Sequence, residues 1–590
     1  MKRFNKYMIA ALAAFATLLS CDYLDKREET TSLSEEDVFG DAEYFEEFVN
    51  WMVQNPVMRH LQAAQVPFGT WDDIADGSMG TMTFSIPYQY AKAGDYLQLI
   101  NMDRAKQCNK NCWQKYWKHI RIANQGIKHI DMYPGEASEK ARLLGTCYFY
   151  RAFSYYELCR RWGGMPYFEQ PVSLADNLDV PRDDMRTTYL KAADDFQRAA
   201  DLLQPTVPKS MWQHPTSVAA LAFKAKCILY AASPQATREG GVTRESLWAE
   251  AAEATEAAIK AAESNGYAMA PTANIYDIYN DNQEDIQIAE VIWGRRHSIK
   301  WESDAYLHTI RPPGTLGGKY GPAINQSLVN AFDMENGYPI TDPRSNYDPQ
   351  DPYKGRGARF EQCILHNQSE PYPGKVLNLY NYTQNPDGTR DLTGSADMKY
   401  QSGKLMEGYT PTGTYIHKWM GKVFNEVDHR MVWPEMRITE LYIMFAEAAT
   451  EAGWDWKTVH SGCTYSALAA LNKVRNRAGI ADVPADYCDT KDHFMERVQN
   501  ERRVELCFED QRFYDIRRLL IGKDIDQNMY RVLITKLAPG YDASVYPTGF
   551  MYEYDPVPID THVYTDRMNL FPINRDDINM CSVFKQNPGW

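Results

Sequence analysis

Residues 140–162 read Lys140-Ala-Arg-Leu-Leu-Gly-Thr-Cys-Tyr-Phe-Tyr-Arg-Ala-Phe-Ser-Tyr-Tyr-Glu-Leu-Cys-Arg-Arg-Trp162. Leu144, Cys147, Tyr148, Phe153, Tyr155 and Leu158 recur at helical spacing. Gly163-Gly164 then supplies a left-handed stop, with Pro166 beyond it. The spacing predicts a helix from Ala137 to Trp162. Its partner lies just upstream, where Trp113, Tyr116, Trp117, Ile120, Ile127 and Ile130 keep the same period up to Pro134-Gly135.

The pairing recurs along the chain. Thr188–Leu203, with Ala192, Phe196, Ala199 and Ala200, is expected to pair with Thr216–Ala232, where Ala residues alternate with Phe223, Ile228 and Leu229. Ser246–Glu263 follows, closed by Asn265-Gly266, and later come Met436–Ala452, Tyr465–Ala478 and Asp492–Asp510. Upstream, Ser34-Glu-Glu-Asp37 has the capping-box pattern and opens a helix whose apolar stripe is Val38, Phe45, Phe48, Val49 and Met52. Small residues let helices approach, and large aromatics fill the space between them, as in tetratricopeptide-type pairs. The expected fold is mostly α: a TPR-like helical-pair scaffold with large irregular, loop-rich insertions and a few short strands. A generic helical bundle is the alternative.

Residues 66–101 and 267–432 break the pattern, being rich in Gly, Pro, Asn, Asp and aromatics. Ile286–Trp293 is one short strand candidate. Long irregular runs inside a compact protein are usually functional, so a binding surface is expected there, held by the helices.

The first twenty residues concern location. A basic start (Lys2, Arg3, Lys6), an apolar run from Met8 to Leu19 and the ending Leu18-Leu19-Ser20-Cys21 make a secretory signal too short to span a bilayer. Leu-x-Ser-Cys resembles a bacterial lipobox, so Cys21 is the expected lipidation site; an ordinary secreted protein with Cys at the cleavage point is the alternative. Asp22–Ser34 is polar and reads as a tether. The organisation expected is therefore a signal at 1–20, a lipidated Cys and tether at 21–34, a helical region at 35–266, an irregular ligand-binding region at 267–432 and a helical region with tail at 433–590.

The 590 residues carry a formal charge of −15, and loss of the signal removes three cations more. That balance disfavours nucleic acid. Thirty-nine Tyr and 14 Trp exceed the needs of a core and suit amphipathic ligands. The 11 cysteines form no C-x-x-C pair and no zinc spacing. Cys147, Cys159, Cys227 and Cys507 read as core thiols. Cys108 and Cys112, in polar surroundings, are a candidate local disulfide.

Several motifs, in order, carry a family resemblance. They are the post-lipid Cys21-Asp-Tyr-Leu-Asp25, the 140–166 helix and turn, and Leu328-Val-Asn-Ala-Phe-Asp-Met-Glu-Asn-Gly337 with the Asp-Pro steps at 342, 348 and 351. Ala470-Leu-Asn-Lys-Val-Arg-Asn-Arg-Ala-Gly479, Glu501–Glu509, Arg512–Arg518, Leu570-Phe-Pro-Ile573 and Gln586-Asn-Pro-Gly-Trp590 complete the set. Over nearly the whole mature chain the sequence resembles the SusD/RagB family of outer-membrane nutrient-binding lipoproteins of Bacteroidetes. The resemblance implies a surface lipoprotein that captures a nutrient and sits as a lid on a SusC-like TonB-dependent transporter. It also implies that the TPR-like half faces that transporter.

Sugar binding needs aromatic faces and planar polar groups. Candidates in the first irregular stretch are Trp71, Asp73, Asp76 and Tyr88; in the second they are Tyr276, Arg296, Trp301 and Tyr306. Trp71 is as compatible with packing under a loop as with stacking, and Trp293 ends an apolar run and reads as core. Trp301, among polar neighbours, is the best platform candidate. The dense charges Glu501, Arg502, Arg503, Glu505, Arg512, Asp515 and Arg517 read as a partly buried structural network. No cofactor is expected; calcium at Asp348 and Asp351 is a minor alternative. No G-x-S-x-G, H-E-x-x-H or phosphate-binding loop is present, so the chain reads as a non-enzyme. Three rivals remain: an oligopeptide-binding relative, a lipid-anchored glycoside hydrolase, and a structural lid without a ligand.

Overall fold

The computed structural model describes residues 34–55, 75–79, 89, 92–96, 111–173, 176, 179–237, 244–272, 278, 289–297, 311–420, 424 and 431–590. Among the described residues the main helices are α1 (Glu35–Phe39), α2 (Ala42–Gln54), α3 (Asn111–His129), α4 (Ala137–Trp162), α5 (Met185–Leu202), α6 (Ser217–Ala232), α7 (Arg244–Ser264), α8 (Ile438–Glu451), α9 (Ala467–Arg477), α10 (Lys491–Glu505) and α11 (Gln511–Arg518). Each of α3 to α7 packs on the next, α7 packs on α8, and α8 packs on both α9 and α10.

Helix α4 is the centre of this layer. From Gly145 to Trp162 all but Tyr148 are buried, which is how a helix covered on every side reads. Its arginines are buried because they are paired: Arg151 grips Asp195 through Nε and Nη2 at 2.6 and 2.8 Å, and Glu157 takes Arg160 and Arg161. Gly163 ends the helix at φ 83°, and a Cβ at Gly164 would fall 2.0 Å from the Asp183 carbonyl oxygen, so the chain can cross there only without a side chain. Helix α6 begins where Thr216 accepts the Ala219 N–H at 3.1 Å, and its buried alanines bring it close to its neighbours.

Among the described residues, twelve strands complete the fold: β1 (Ser78–Met79), β2 (Val291–His297), β3 (Ala323–Ile324), β4 (Ile364–Leu365), β5 (Tyr382–Gln384), β6 (Arg390–Asp391), β7 (Tyr400–Gln401), β8 (Lys404–Leu405), β9 (Tyr415–Ile416), β10 (Met431–Arg437), β11 (Asn528–Lys536) and β12 (Phe550–Thr561). They form a sheet in the order β1-β3-β9-β4, another in the order β12-β11-β5-β6, and the two-stranded ribbons β10-β2 and β7-β8. Trp293 of β2 drives its ring into the helical layer, edge-on to Phe149, Phe153 and Phe223 with centroids 4.9, 5.1 and 5.7 Å away, and its Nε1–H bonds the Gln213 carbonyl. Trp293 is core, as its place at the end of an apolar run indicates.

Charge holds the irregular half to the helical half. Arg437, Arg477 and Arg359 converge on Glu505; Arg437 and Arg477 also bind Glu290, and Arg359 binds Glu501. Arg475 joins Glu501 to Asp333, while Lys418 and Arg437 share Glu509. These five cations and five carboxylates are all buried and balance one another. Burial pushes the Glu505 carboxyl up, but Arg477, Arg359, Arg437 and Lys418 overcome it and hold it well below the usual range. A second balanced set, Lys226-Glu440-Arg502-Asp515-Arg518-Glu447, lies beside it. The dense charges of 501–518 are structural, as the sequence indicates.

Several features differ from the periodic reading. Gly40 and Asp41 split the first helix, because Gly40 caps α1 and the Asp41 side chain starts α2 by accepting the Tyr44 N–H. Residues 431–437 are strand, and α8 starts only at Ile438, since Met431 to Arg437 pair with β2. Helix α10 stops at Glu505: Lys418 Nζ takes the carbonyls of Glu505 and Cys507, Trp419 takes that of Phe508, and Phe508 and Asp510 turn at φ 63° and 62°. The tail holds the long β11–β12 hairpin, which helical periodicity does not reveal. Cys147, Cys159 and Cys227 are buried thiols, Cys147 pushed up to about 12 by burial. Cys112 is likewise buried, within α3, and burial pushes its thiol up to about 11; Cys21 and Cys108, and with it the proposed Cys108–Cys112 pairing, lie outside the described residues.

Candidate functional site

Both irregular stretches are anchored on the scaffold by polar clamps. The first is anchored through Asp76. Arg512 grips it with two hydrogen bonds (Nε to Oδ1 2.9 Å, Nη2 to Oδ2 2.8 Å), and Arg503 Nη2 stands 3.1 Å from Oδ2. Burial pushes the Asp76 carboxyl up, but Arg503 and Arg512 outweigh it and hold the group well below the ordinary carboxylate range. The Asp76 carboxylate is therefore engaged by the scaffold. Both its oxygens face inward onto α10 and α11, and only 5% of the residue is exposed. Sequence alone does not show this: two arginines hundreds of residues away take a carboxylate that composition leaves available for a sugar hydroxyl.

Asn325 completes the clamp. Its side-chain amide donates to the carbonyls of Asp76 and Asn528, and its Oδ1 accepts from Ser327 N–H and Tyr530 N–H. One side chain thus ties the first stretch, the helix at Gln326–Ala331 and β11 together. The only sequence signal for Asn325 is that Asn before Gln326-Ser-Leu suits a helix N-cap. Downstream, Tyr96 stacks on Trp590 and accepts a hydrogen bond from Arg517, and Lys92 pairs with Asp560.

The second stretch grows from the β2–β10 ribbon. His297 pairs with Met431 at the end of the ribbon. Nearby in sequence, Arg311 lies over Tyr372 and Phe424 at 5.9 and 5.6 Å, and Lys375 lies over Phe424 at 4.3 Å. Beneath the ribbon, Trp433 stacks on Trp419 with centroids 4.3 Å apart, both fully buried. Arg296 lies on β2 opposite Val432. Trp71, Asp73, Tyr88, Tyr276, Trp301 and Tyr306 lie outside the described residues. Asp348 accepts the Gln350 N–H within its own turn, and among the described residues no group of three or more His, Cys, Asp or Glu is arranged to hold a metal.

This architecture has relatives. SusD-like protein P2 of Formosa agariphila is 22% identical over 70% of this chain and 72% of its own length. A SusD-like protein from Bacteroides fragilis superposes with a TM-score of 0.70 at 21% identity, covering 94% of this chain and 99% of the other. A SusD-like carbohydrate binding protein from the same species gives 0.68 at 18% identity, over 93% and 100%. A family model described as starch-binding, associating with the outer membrane, matches residues 22–229. The SusD family model matches residues 248–590, more than half of the sequence and the part that holds the ribbon, the ionic seam and the hairpin; the chain belongs to the SusD family.

Proposed function

We propose that the protein is a cell-surface lipoprotein that binds a nutrient glycan without cleaving it and delivers it to a SusC-like TonB-dependent outer-membrane transporter, acting as its lid. One observation carries the reading. The described ribbon, whose tryptophans are locked in the core, ends at His297, and Trp301 and Tyr306 follow it in the sequence. Preorganised aromatic faces bind sugars with little ordering cost. The match at 22–229 and the carbohydrate-binding relative support a glycan as the ligand.

Binding without hydrolysis has support in the SusD family match, and Asp397, a carboxyl that burial pushes up, is tied to the scaffold. A glycosidase needs a protonated carboxyl and a partner carboxylate facing one cleft. Asp397, which burial pushes up, instead accepts hydrogen bonds from Thr315 and Asn378 through both oxygens. The lipid attachment is assigned to Cys21, and no helix among the described residues is long and apolar enough to cross a membrane. Titration calorimetry of the purified chain against a panel of oligo- and polysaccharides, with product analysis after long incubation, tests the reading. Saturable binding with no new sugars is expected; released products, or binding of oligopeptides alone, would contradict it. Cys21→Ala should move the protein from the membrane fraction to the medium or periplasm.

A further inference from the structure

We propose that Gln350 is an edge guard: it stands where a further strand would pair with β12, and it keeps β12 from joining the same strand of a second copy. Strand β12 lies at the edge of the sheet β12-β11-β5-β6. Opposite Tyr552 in the ladder is Ile534, whose N–H donates to Asn381 Oδ1 and whose carbonyl accepts the Asn381 N–H, both at 2.8 Å and away from β12. Ile534 and Tyr552 are therefore a non-hydrogen-bonded pair, and the Tyr552 peptide groups face outward. The Gln350 side chain meets both. Its amide N–H donates to the Tyr552 carbonyl at 2.9 Å, and its oxygen accepts the Tyr552 N–H at 2.9 Å. A primary amide carries the same donor and acceptor as a peptide group, so this contact reproduces what a neighbouring strand would offer.

The Asp-Pro steps at 348 and 351 bracket Gln350 and fix the turn that presents it. Asp348 Oδ1 accepts the Gln350 N–H at 2.8 Å, and the Asp348 carbonyl accepts the Asp351 N–H at 3.0 Å. The same turn reaches the next outward residue, where the Tyr347 and Tyr554 hydroxyls share a hydrogen bond of 2.7 Å. Beyond Tyr554 the edge closes itself. Pro556 and Pro558 have no N–H to give, and the Asp555 carboxylate takes the Val557 N–H at 3.0 Å. An uncovered edge is a template for another chain, and charges, prolines and covering loops blunt it. Without Gln350 the outward groups of Tyr552 would lie bare within Phe550-Met-Tyr-Glu-Tyr554, a run of good strand formers. Crowding of copies on one surface, as attachment through Cys21 would bring about, favours such pairing by mass action.

Sedimentation velocity over a range of concentrations tests this on the full mature chain, freed of its lipid by Cys21→Ala. That parent should keep the mass of one chain throughout. Q350A should rise toward twice that mass with concentration, and amide exchange at residues 550–554 should slow as it does. Q350K loses the same two hydrogen bonds but sets a charge at the edge, so it should melt like Q350A and stay a single chain. A Q350A chain that never associates would overturn the proposal, as would a parent that already pairs through 550–554. Equal association of Q350A and Q350K would overturn it by tracing the effect to lost stability. Association with exchange at 550–554 unchanged would overturn it by placing the contact elsewhere.

Discussion

The helical layer around α4 and the seam between the two halves are both buried, yet opposite forces hold them. Phe149, Phe153, Phe196, Phe223 and Trp293 meet edge to face over alanines of α5 and α6. The seam is Glu290, Glu505, Glu509 and Glu501 interleaved with Arg359, Arg437, Arg475 and Arg477. Apolar packing tolerates substitutions that keep volume. A buried ion network stabilises little against an apolar replacement, but it has one geometry, and losing one member strands the others. The difference is one of emphasis: aromatic packing dominates the centre of the helical layer, and buried ion pairs dominate the seam with the irregular half.

The largest effect should come from the seam. Glu505→Ala leaves Arg359, Arg437 and Arg477 each short of a partner and should destabilise by about 3–5 kcal/mol or prevent folding, read by chemical denaturation. In the layer, Trp293→Phe should cost less than Trp293→Ala, which opens a cavity among Phe149, Phe153 and Phe223 and should cost about 3–5 kcal/mol. A layer that instead failed with Phe at 293 would remove the contrast in tolerance.

Asp76→Asn should have a smaller effect, about 1–3 kcal/mol, because Asn keeps the volume and loses the charge. Its pH dependence follows from a folded carboxyl held well below the unfolded value of about 3.9. The stabilisation is fully present above about pH 4 and is lost only as pH falls toward the depressed folded value. Acid titration of stability should therefore show the wild type and the variant converging only well below pH 4.

The layer was legible in sequence because its contacts are periodic: α4 spans the stretch that apolar spacing and Gly163-Gly164 mark out. Helix ends depart from the periodic reading where a distant group intervenes, as Lys418 does at the end of α10 and β2 does at Met436, and where local caps break the run, as Gly40 and Asp41 do. Asp76 shows the limit for sites. Its partner Arg512 is 436 positions away, so nothing local distinguishes a clamp from a ligand contact. The β11–β12 hairpin was hidden because much of β12 is half-exposed and breaks the alternation a strand needs to be read.

The central claim is that the irregular segments bind and the scaffold only carries them. The most direct test is Trp301→Ala, measured by calorimetry against the glycan the wild type binds and by thermal unfolding. The account predicts that affinity falls at least tenfold while the melting temperature stays within about 2 °C of wild type. Unchanged affinity, with or without a large loss of stability, would contradict it.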